Sequence, residues 1–219
     1  MVIENTIKDG GNTVKTDITI LQQPNVPKML HKLAPRVIES SYWWKKQRDT
    51  MLVEQDMCCK ACGIQVDHRS KLDLHEEYHI NYQEGYSDVK GMVGLCKDCH
   101  SFIHNGLLFI RAKNGEISFD RANYIFRRGF TLLKEAGLEP NHSAAVHYVE
   151  LLNHFGKNPS KGLINRAFEL TQAQSPVSIN KNWNEWHLRW KGKKYYSLFT
   201  DIEDWKENVA TRKYERTTI

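Results

Sequence analysis

Two C-x-x-C motifs, Cys59 to Cys62 and Cys96 to Cys99, constrain this chain more than any other feature of its sequence. In each motif a tight turn lets two thiolates point at one ion, and two such turns complete the tetrahedral shell that Zn²⁺ prefers. We therefore expect one structural zinc bound by four cysteines, in preference to a redox C-x-x-C motif. The fifth cysteine, Cys58, could replace Cys59, but the C-x-x-C spacing favours Cys59.

The distribution of the cysteines also bears on the cellular compartment. Five cysteines fall in two groups, whereas a disulfide framework would scatter them, and the odd count would leave a free thiol. The N-terminus is polar and lacks the apolar segment of a signal peptide, and no run of 18 apolar residues is present to cross a membrane. We expect a soluble protein in a reducing cytoplasm, with no membrane association.

The pattern of apolar and turn-forming residues predicts an α+β fold. With 40% hydrophobic residues among 219, the chain can bury a core. A helix is predicted over 118–137, with Ser118 or Asp120 as N-cap and Gly137 as its end. The other predicted elements are helices over 142–155 and 163–172, a β-hairpin over 183–199, and a closing helix that Asp201 could cap.

These elements suggest a division of the chain into three segments. The first is an N-terminal arm (1–28), and the second is a zinc-binding module (29–110). The third is a helical region that ends in the hairpin and the closing helix (111–219). We expect all three to pack as one body.

Basic residues occur in clusters, several of them beside Trp or Tyr, within a net charge of +5. Such clusters fit a phosphate-bearing partner. The alternative is that they are the solvated faces of an ordinary enzyme, as runs of charge usually are. A C-terminal cluster spans Arg212 to Arg216. The candidate nucleic-acid-binding residues are Lys45, Lys46, Arg48, Lys191, Lys193 and Lys194.

His75, Glu76 and His79 form the string H-E-x-x-H, which is the signature of zinc metalloproteases. In those enzymes the string lies on a long helix. Here the strand-like residues Leu72 to Leu74 precede it, and the two C-x-x-C motifs enclose it. We therefore do not interpret it as a protease site.

Two further histidines favour a different metal site. His100 and His104 are four residues apart, so a helix that begins at Cys99 would place both on one face, where they could share an ion. His75 would reach the same ion from the predicted strand. We expect a strand, a connecting loop and a helix, with one ligand from the strand and two from the helix.

These motifs resemble those of the HNH endonuclease family. The resemblance rests on C-x-x-C-G at Cys59, the Leu-x-Leu-His strand ending at His75, and Leu-Cys-x-x-Cys-His-x-x-x-His from Leu95 to His104. The separations of 25 residues from His75 to His100, and of four to His104, are similar to those of the family's metal-binding histidines. The resemblance implies a central ββα-metal module with one catalytic divalent ion, braced by a four-cysteine zinc. Flanking segments within residues 30–208 resemble a bacterial and phage subgroup, which favours the cytoplasm of a bacterial cell.

The resemblance also implies a role for each matching residue. His75, His100 and His104 would bind the catalytic ion, which would be Mg²⁺, Mn²⁺ or Zn²⁺. Glu76 stands where the family usually has its general-base histidine, and His79 is the second candidate for that base. The asparagine of the family has no counterpart in the segment 89–94.

The implied function is metal-dependent hydrolysis of DNA phosphodiesters, with a homodimer as one route to cutting both strands. The alternative is a catalytically degenerate zinc module of the same fold that binds nucleic acid or a protein partner. The second ion separates the two interpretations, because a binding module needs only the zinc held by the four cysteines.

Overall fold

The computed structural model of the chain describes residues 4–9, 12–174 and 182–210, and these residues form an α+β fold as predicted. The basic cluster at 212–216 lies outside the described residues. The strands of the described residues are β1 (Glu4–Asp9), β2 (Asn12–Asp17), β3 (Leu72–Asn81), β4 (Tyr86–Cys96), β5 (His187–Trp190) and β6 (Lys193–Tyr196). Their α-helices are α1 (Pro35–Ile38), α2 (Ser41–Glu54), α3 (Lys97–Ile103), α4 (Asn105–Lys113), α5 (Phe119–Glu135), α6 (His142–His154), α7 (Lys161–Gln174) and α8 (Ile202–Ala210). Within the described residues, no helix combines the length and apolar character needed to cross a membrane.

The chain divides into two compact units. Unit 1 comprises the described residues within 1–25, 45–77 and 92–175. Unit 2 comprises those within 26–44, 78–91 and 176–219. Both C-x-x-C motifs and the histidines at 75, 100 and 104 therefore belong to unit 1, whereas the C-terminal hairpin belongs to unit 2.

The helices of unit 1 follow ordinary capping rules. The Ser118 hydroxyl accepts a hydrogen bond of 3.2 Å from the Arg121 N–H, so Ser118 is the N-cap of α5. Gly137 follows the end of α5 at φ +69°, a left-handed conformation that glycine adopts without strain. The helix predicted over 118–137 is confirmed, and the two predicted after it correspond to α6 and α7.

A close approach of α3 to α5 anchors the helix that carries the second C-x-x-C motif. Phe102 of α3 is 1% exposed, and its ring packs edge-on against Phe130 with centroids 5.5 Å apart. A Cβ atom added at Gly129 of α5 would lie 2.2 Å from Cδ2 of Phe102. The absence of a side chain at Gly129 therefore allows the two helices to pack at this distance.

Four strands form one sheet in the order β3-β4-β5-β6. The connection from β3 to β4 spans only residues 82–85, which is too short for a parallel crossover, so these strands run antiparallel. β5 pairs parallel to β4, and β6 pairs antiparallel to β5. The prediction of a connecting loop before the second C-x-x-C motif is therefore wrong, because strand β4 forms most of that segment. Gly91 and Gly94 interrupt the apolar pattern of β4. A Cβ atom added at Gly94 would lie 2.2 Å from Sδ of the buried Met51, whose side chain would have to shift.

Unit 2 contains the predicted hairpin, which β5 and β6 form around Lys191 and Gly192. Both turn residues have positive φ, +49° and +74°, as a two-residue type I′ turn requires. A core of Met29, Leu30, Leu33, Trp186 and Leu188 packs beneath one face of the hairpin. The Asp201 carboxylate accepts hydrogen bonds from the N–H groups of Glu203 and Asp204, so it caps α8 as predicted.

We expect Gly129→Ala to lower the free energy of unfolding by about 1–3 kcal/mol, because the added methyl group collides with the buried Phe102 ring. Gly162→Ala in α7 is a matched control, since no atom lies closer than 4.0 Å to its added Cβ. That variant should be unchanged or more stable by up to about 1 kcal/mol, the helix preference for alanine. Urea denaturation followed by circular dichroism measures both, and equal stability of the two variants would contradict the close approach.

Candidate metal centres

The four cysteines of the C-x-x-C motifs form one group. Their Sγ atoms all lie within 4.8 Å of one another, and together they could hold a metal ion such as zinc. Cys59 and Cys99 are buried, with 0% and 2% exposure. Cys62 Sγ lies 3.8 Å from Cys96 Sγ, which joins the first motif to the second.

Local structure explains how each motif presents its two thiols. In the first motif the chain turns back at Gly63, which has φ +72° and donates a hydrogen bond of 2.8 Å to the Cys59 carbonyl. In the second motif Cys96 ends β4 and is the N-cap of α3, and Cys99 lies in the first turn of that helix. A turn and a strand-to-helix junction thus converge on one point.

The electrostatics of the group favour a bound cation. The pKa of the Cys62 thiol lies far below its usual range, because the thiols of Cys59, Cys96 and Cys99 stabilise its thiolate by hydrogen bonds. The interaction with Cys59 is the main cause of the raised pKa of Cys96 and of Cys99. Four thiolates this close would repel one another, and a cation among them would stabilise them together.

Two neighbouring residues complete the description of this centre. Arg128 of α5 points its Nη2 at Cys62 Sγ from 3.6 Å, so its charge offsets part of the negative charge of the thiolates. Cys58 lies outside the group and is 5% exposed, and its thiol donates to the Asp56 carbonyl at 3.4 Å. The structure thus resolves the choice between adjacent cysteines in favour of Cys59.

His75, His100 and His104 form a second group that could bind a metal. One ring nitrogen from each lies within 4.8 Å of the others, and the ring centroids are 4.8–5.2 Å apart. His75 comes from β3 and is 1% exposed. His100 lies in α3, and His104 is the C-cap of that helix. The His104 N–H donates a hydrogen bond of 3.2 Å to the His100 carbonyl.

Asp73 orients the second of these histidines, and the sequence analysis did not identify it. Its Oδ2 lies 3.0 Å from Nδ1 of His100, and its other oxygen pairs with Lys97. Burial would raise the pKa of the Asp73 carboxyl, but the bonds from His100 and Lys97 outweigh it and hold the pKa at about 2. Asp73 is therefore ionised throughout the neutral range, and its hold on Nδ1 leaves Nε2 of His100 as the metal-binding atom.

A residue distant in sequence supports His75. The side-chain amide nitrogen of Gln23 lies 3.0 Å from Nε2 of His75 and donates to the Glu76 carbonyl at 3.2 Å. Both contacts hold the Gln23 side chain against the part of β3 that carries His75.

The two candidate bases occupy different environments. Glu76 is 4% exposed, and strand alternation places it on the side of β3 opposite to His75. Among the described residues, its Oε1 has no hydrogen-bond partner. His79 belongs to unit 2, where its exposed ring lies 3.9 Å from the Asp88 carboxylate.

The predicted nucleic-acid-binding residues divide by their contacts. Lys45, Lys46, Lys193 and Lys194 are exposed. Arg48 instead donates to the carbonyls of Arg69 and Leu72 at 2.8 and 3.1 Å, which joins α2 to the start of β3.

Lys191 is exposed too, but its ammonium group makes contacts within the protein. Its ammonium group lies 4.7 Å from the centroid of the Trp43 ring and 2.7 Å from the Glu39 carboxylate. That carboxylate also accepts a hydrogen bond of 2.8 Å from the Trp190 indole. These contacts tie the tip of the hairpin to the segment that begins α2.

Comparisons with known proteins give no relative for this arrangement. The chain matches no protein-family model, and neither the curated proteins nor the solved structures include a match to it. The candidate function therefore has to be argued from the two centres themselves.

We expect the purified protein to contain about one tightly bound zinc per chain, because four thiolates at this spacing make a closed tetrahedral site. Cys96→Ser should lose the zinc and unfold or aggregate, since metal-binding free energy is folding free energy in such sites. Cys58→Ser, the matched control, should keep both the zinc and the melting temperature. Metal analysis by mass spectrometry and thermal denaturation give both results, and a folded, zinc-free Cys96→Ser protein would refute the structural role.

Proposed function

We propose that this chain is a metal-dependent DNA endonuclease of the HNH type. The observation that carries the proposal is the group of three histidines, one from a strand and two from the helix that follows the paired strand. The order β3, β4, α3 fits the ββα-metal module, with the four-cysteine centre at the junction of β4 and α3. The motifs and their spacing support the same family.

The donor set fits a divalent ion with open coordination positions. Three imidazoles supply three nitrogen ligands, and Asp73 holds one of them in a fixed tautomer and orientation. Three protein ligands are typical of catalytic centres, whereas structural centres have four. A divalent ion at His75, His100 and His104 would stabilise negative charge on a scissile phosphate.

The residues of the chain would divide the remaining work. The three histidines hold the ion, and Asp73 keeps His100 aligned. Glu76 and His79 are the candidates for the group that accepts a proton from the attacking water. Exposed lysines at 45, 46, 193 and 194 are available to bind DNA phosphates without sequence preference.

A non-catalytic module that binds nucleic acid or a protein partner is the second candidate. The observation that favours it is the placement of Glu76, which is buried on the side of β3 opposite to His75. A buried carboxylate in that position is poorly placed to take a proton from water. Such a module would retain the four-cysteine zinc and have no use for a second ion.

We expect Mg²⁺, Mn²⁺ or Zn²⁺ to support cleavage of DNA by the zinc-loaded protein. His75→Ala and His104→Ala should each abolish cleavage, because either change removes a metal ligand, and both should retain the four-cysteine zinc. Glu76→Gln should lower the rate without affecting metal binding. Plasmid nicking and linearisation in a metal titration, followed on gels, measure the activity.

The base is assigned by comparing Glu76→Gln with His79→Ala. A loss in His79→Ala as large as that in Glu76→Gln would give the role to His79 or show that the two residues share it. His68→Ala is a control, because His68 is exposed and its ring bonds to Ser70 within its own turn. If no divalent ion supports cleavage of single- or double-stranded DNA, and none binds at the three histidines, the binding module replaces the nuclease.

We expect Asp73→Asn to weaken metal binding at the three histidines by about 10- to 100-fold, the usual effect of removing the partner of a metal-binding histidine. Asparagine has nearly the same shape but no charge, so the imidazole loses its anionic acceptor. Asp67→Asn is the control, since Asp67 is exposed and its carboxylate pairs with Lys71, away from the three histidines. Calorimetric titration of the zinc-loaded protein with Mn²⁺ measures the affinity, and an unchanged value in Asp73→Asn would contradict this role.

A further inference from the structure

In unit 2, the first part of β4 (86–91) together with β5 and β6 presents two rows of side chains on the face opposite to the core. Their register pairs Tyr86 with His187 and His187 with Tyr196, which makes an aromatic row across three strands. Two residues further along, Asp88 pairs with Arg189 and Arg189 with Lys194, which makes a charged row. Side chains at alternate positions share a face, so both rows lie on one side of the sheet.

The aromatic row is a packed surface with an open end. The His187 ring lies 5.9 Å from Tyr86 and 5.3 Å from Tyr196, with interplanar angles of 34° and 40°. His187 is 7% exposed, whereas Tyr196 is 53% exposed. The row thus has the buried His187 imidazole at its centre and the accessible Tyr196 ring at its β6 end.

The charged row adds cations beside these rings. The Arg189 guanidinium lies 3.4 Å above the Tyr86 ring and 3.9 Å from the Glu84 carboxylate. Its side chain is 40% exposed, so part of it is accessible from solvent. Among the described residues Lys194 makes no ion pair, and strand alternation adds the exposed Lys90 to this face.

The apolar residues of the same strands lie on the opposite face, which packs on the core of unit 2. Leu188 is 1% exposed in the core of unit 2, and Val89, Trp190 and Tyr195 pack against that core. Tyr86, His187 and Tyr196 therefore do not belong to the core face, although two of them are aromatic residues typical of a core. The 53% exposure of Tyr196 is therefore not explained by packing within unit 2.

We propose that this face binds a single-stranded polynucleotide, with one base stacked on Tyr196, another on the Arg189 guanidinium, and a phosphate at Lys194. Aromatic rings and arginine planes on an open sheet stack unpaired bases, and adjacent cations bind the backbone. A duplex cannot occupy the face in this way, because its bases are already stacked and paired. The inference rests on the proposed nuclease function in one respect: if the protein is a nuclease, the bound strand is part of its substrate.

The test measures binding of a fluorescein-labelled (dT)20 by fluorescence anisotropy, with zinc-loaded full-length protein and no added divalent ion. Tyr196→Ala should weaken binding by about fivefold or more, the loss expected for one base stack. Tyr196→Phe should bind like the unaltered protein, since it keeps the ring. Tyr124→Ala is the matched control, because Tyr124 has a similar exposure of 48% but lies on α5.

A second variant tests the phosphate contact. Lys194→Ala should lower the affinity and reduce the slope of log affinity against log salt by about 0.7, the value for one phosphate of a single strand. Circular dichroism and melting temperature establish that each variant is folded. An unchanged slope would remove Lys194 from the proposal, and equal binding by Tyr196→Ala and Tyr124→Ala would overturn the stacking surface.

Competition decides which ligand the face takes. Unlabelled (dT)20 or (rU)20 should displace the probe better than a duplex of the same length or heparin, and the better of the two single strands identifies the preferred sugar. Displacement by duplex or heparin at equal concentration would overturn the proposal in favour of binding by charge alone. Because no divalent ion is added, this assay measures binding alone and is independent of cleavage. Single-strand binding here together with no cleavage in the metal titration would refute the nuclease and leave this surface standing, whereas cleavage in that titration with unaltered Tyr196→Ala binding would do the reverse.

Discussion

The rest of unit 1 depends on the convergence of four thiols within 4.8 Å of one another. Thiols this close cannot all carry negative charge unless a cation lies among them, so the arrangement is stable chiefly with a metal bound. A bound ion fixes the turn of the first motif against the junction of β4 and α3. The start of α3 then fixes His100, which directly follows Cys99, and His104 one helical turn later. The cysteine centre therefore sets the geometry of the histidine group.

The histidine group differs from the cysteine centre in the way it is supported. Its members are held by polar partners, with Asp73 on His100 and Gln23 on His75. A set of three nitrogen ligands leaves coordination positions open, which suits a phosphate or a water molecule. The nuclease and the binding module share the cysteine centre, and they differ in whether these three histidines hold an ion and whether a base can reach it.

Much of this arrangement could be predicted because it is local in sequence. The C-x-x-C spacing follows from one turn, and the spacing of His100 and His104 from one turn of helix, so both metal-binding groups follow from short motifs. Asp73 also carried a signal, since it precedes His75 by two residues and a strand places both on one side. Gln23 carried none, because 52 residues separate it from His75. The residue pattern alone did not predict strand β4, which only the family resemblance implied, because its glycines interrupt the alternation. The division of the chain into two units depends on contacts between residues distant in sequence.

The antiparallel pair of strands β3 and β4 lies between the two cysteine motifs, and this position has a consequence for the order of folding. Binding an ion to both motifs closes a loop of 33 residues, 63–95, and by polymer theory closing such a loop in an unstructured chain costs roughly 3 kcal/mol of entropy. If β3 and β4 have already paired, the chain left to close is essentially residues 63–71, and the cost falls to roughly 2 kcal/mol. Pairing of these strands therefore accelerates capture of the ion. We therefore expect strand pairing to precede metal capture, so that the ion binds two motifs already held close together.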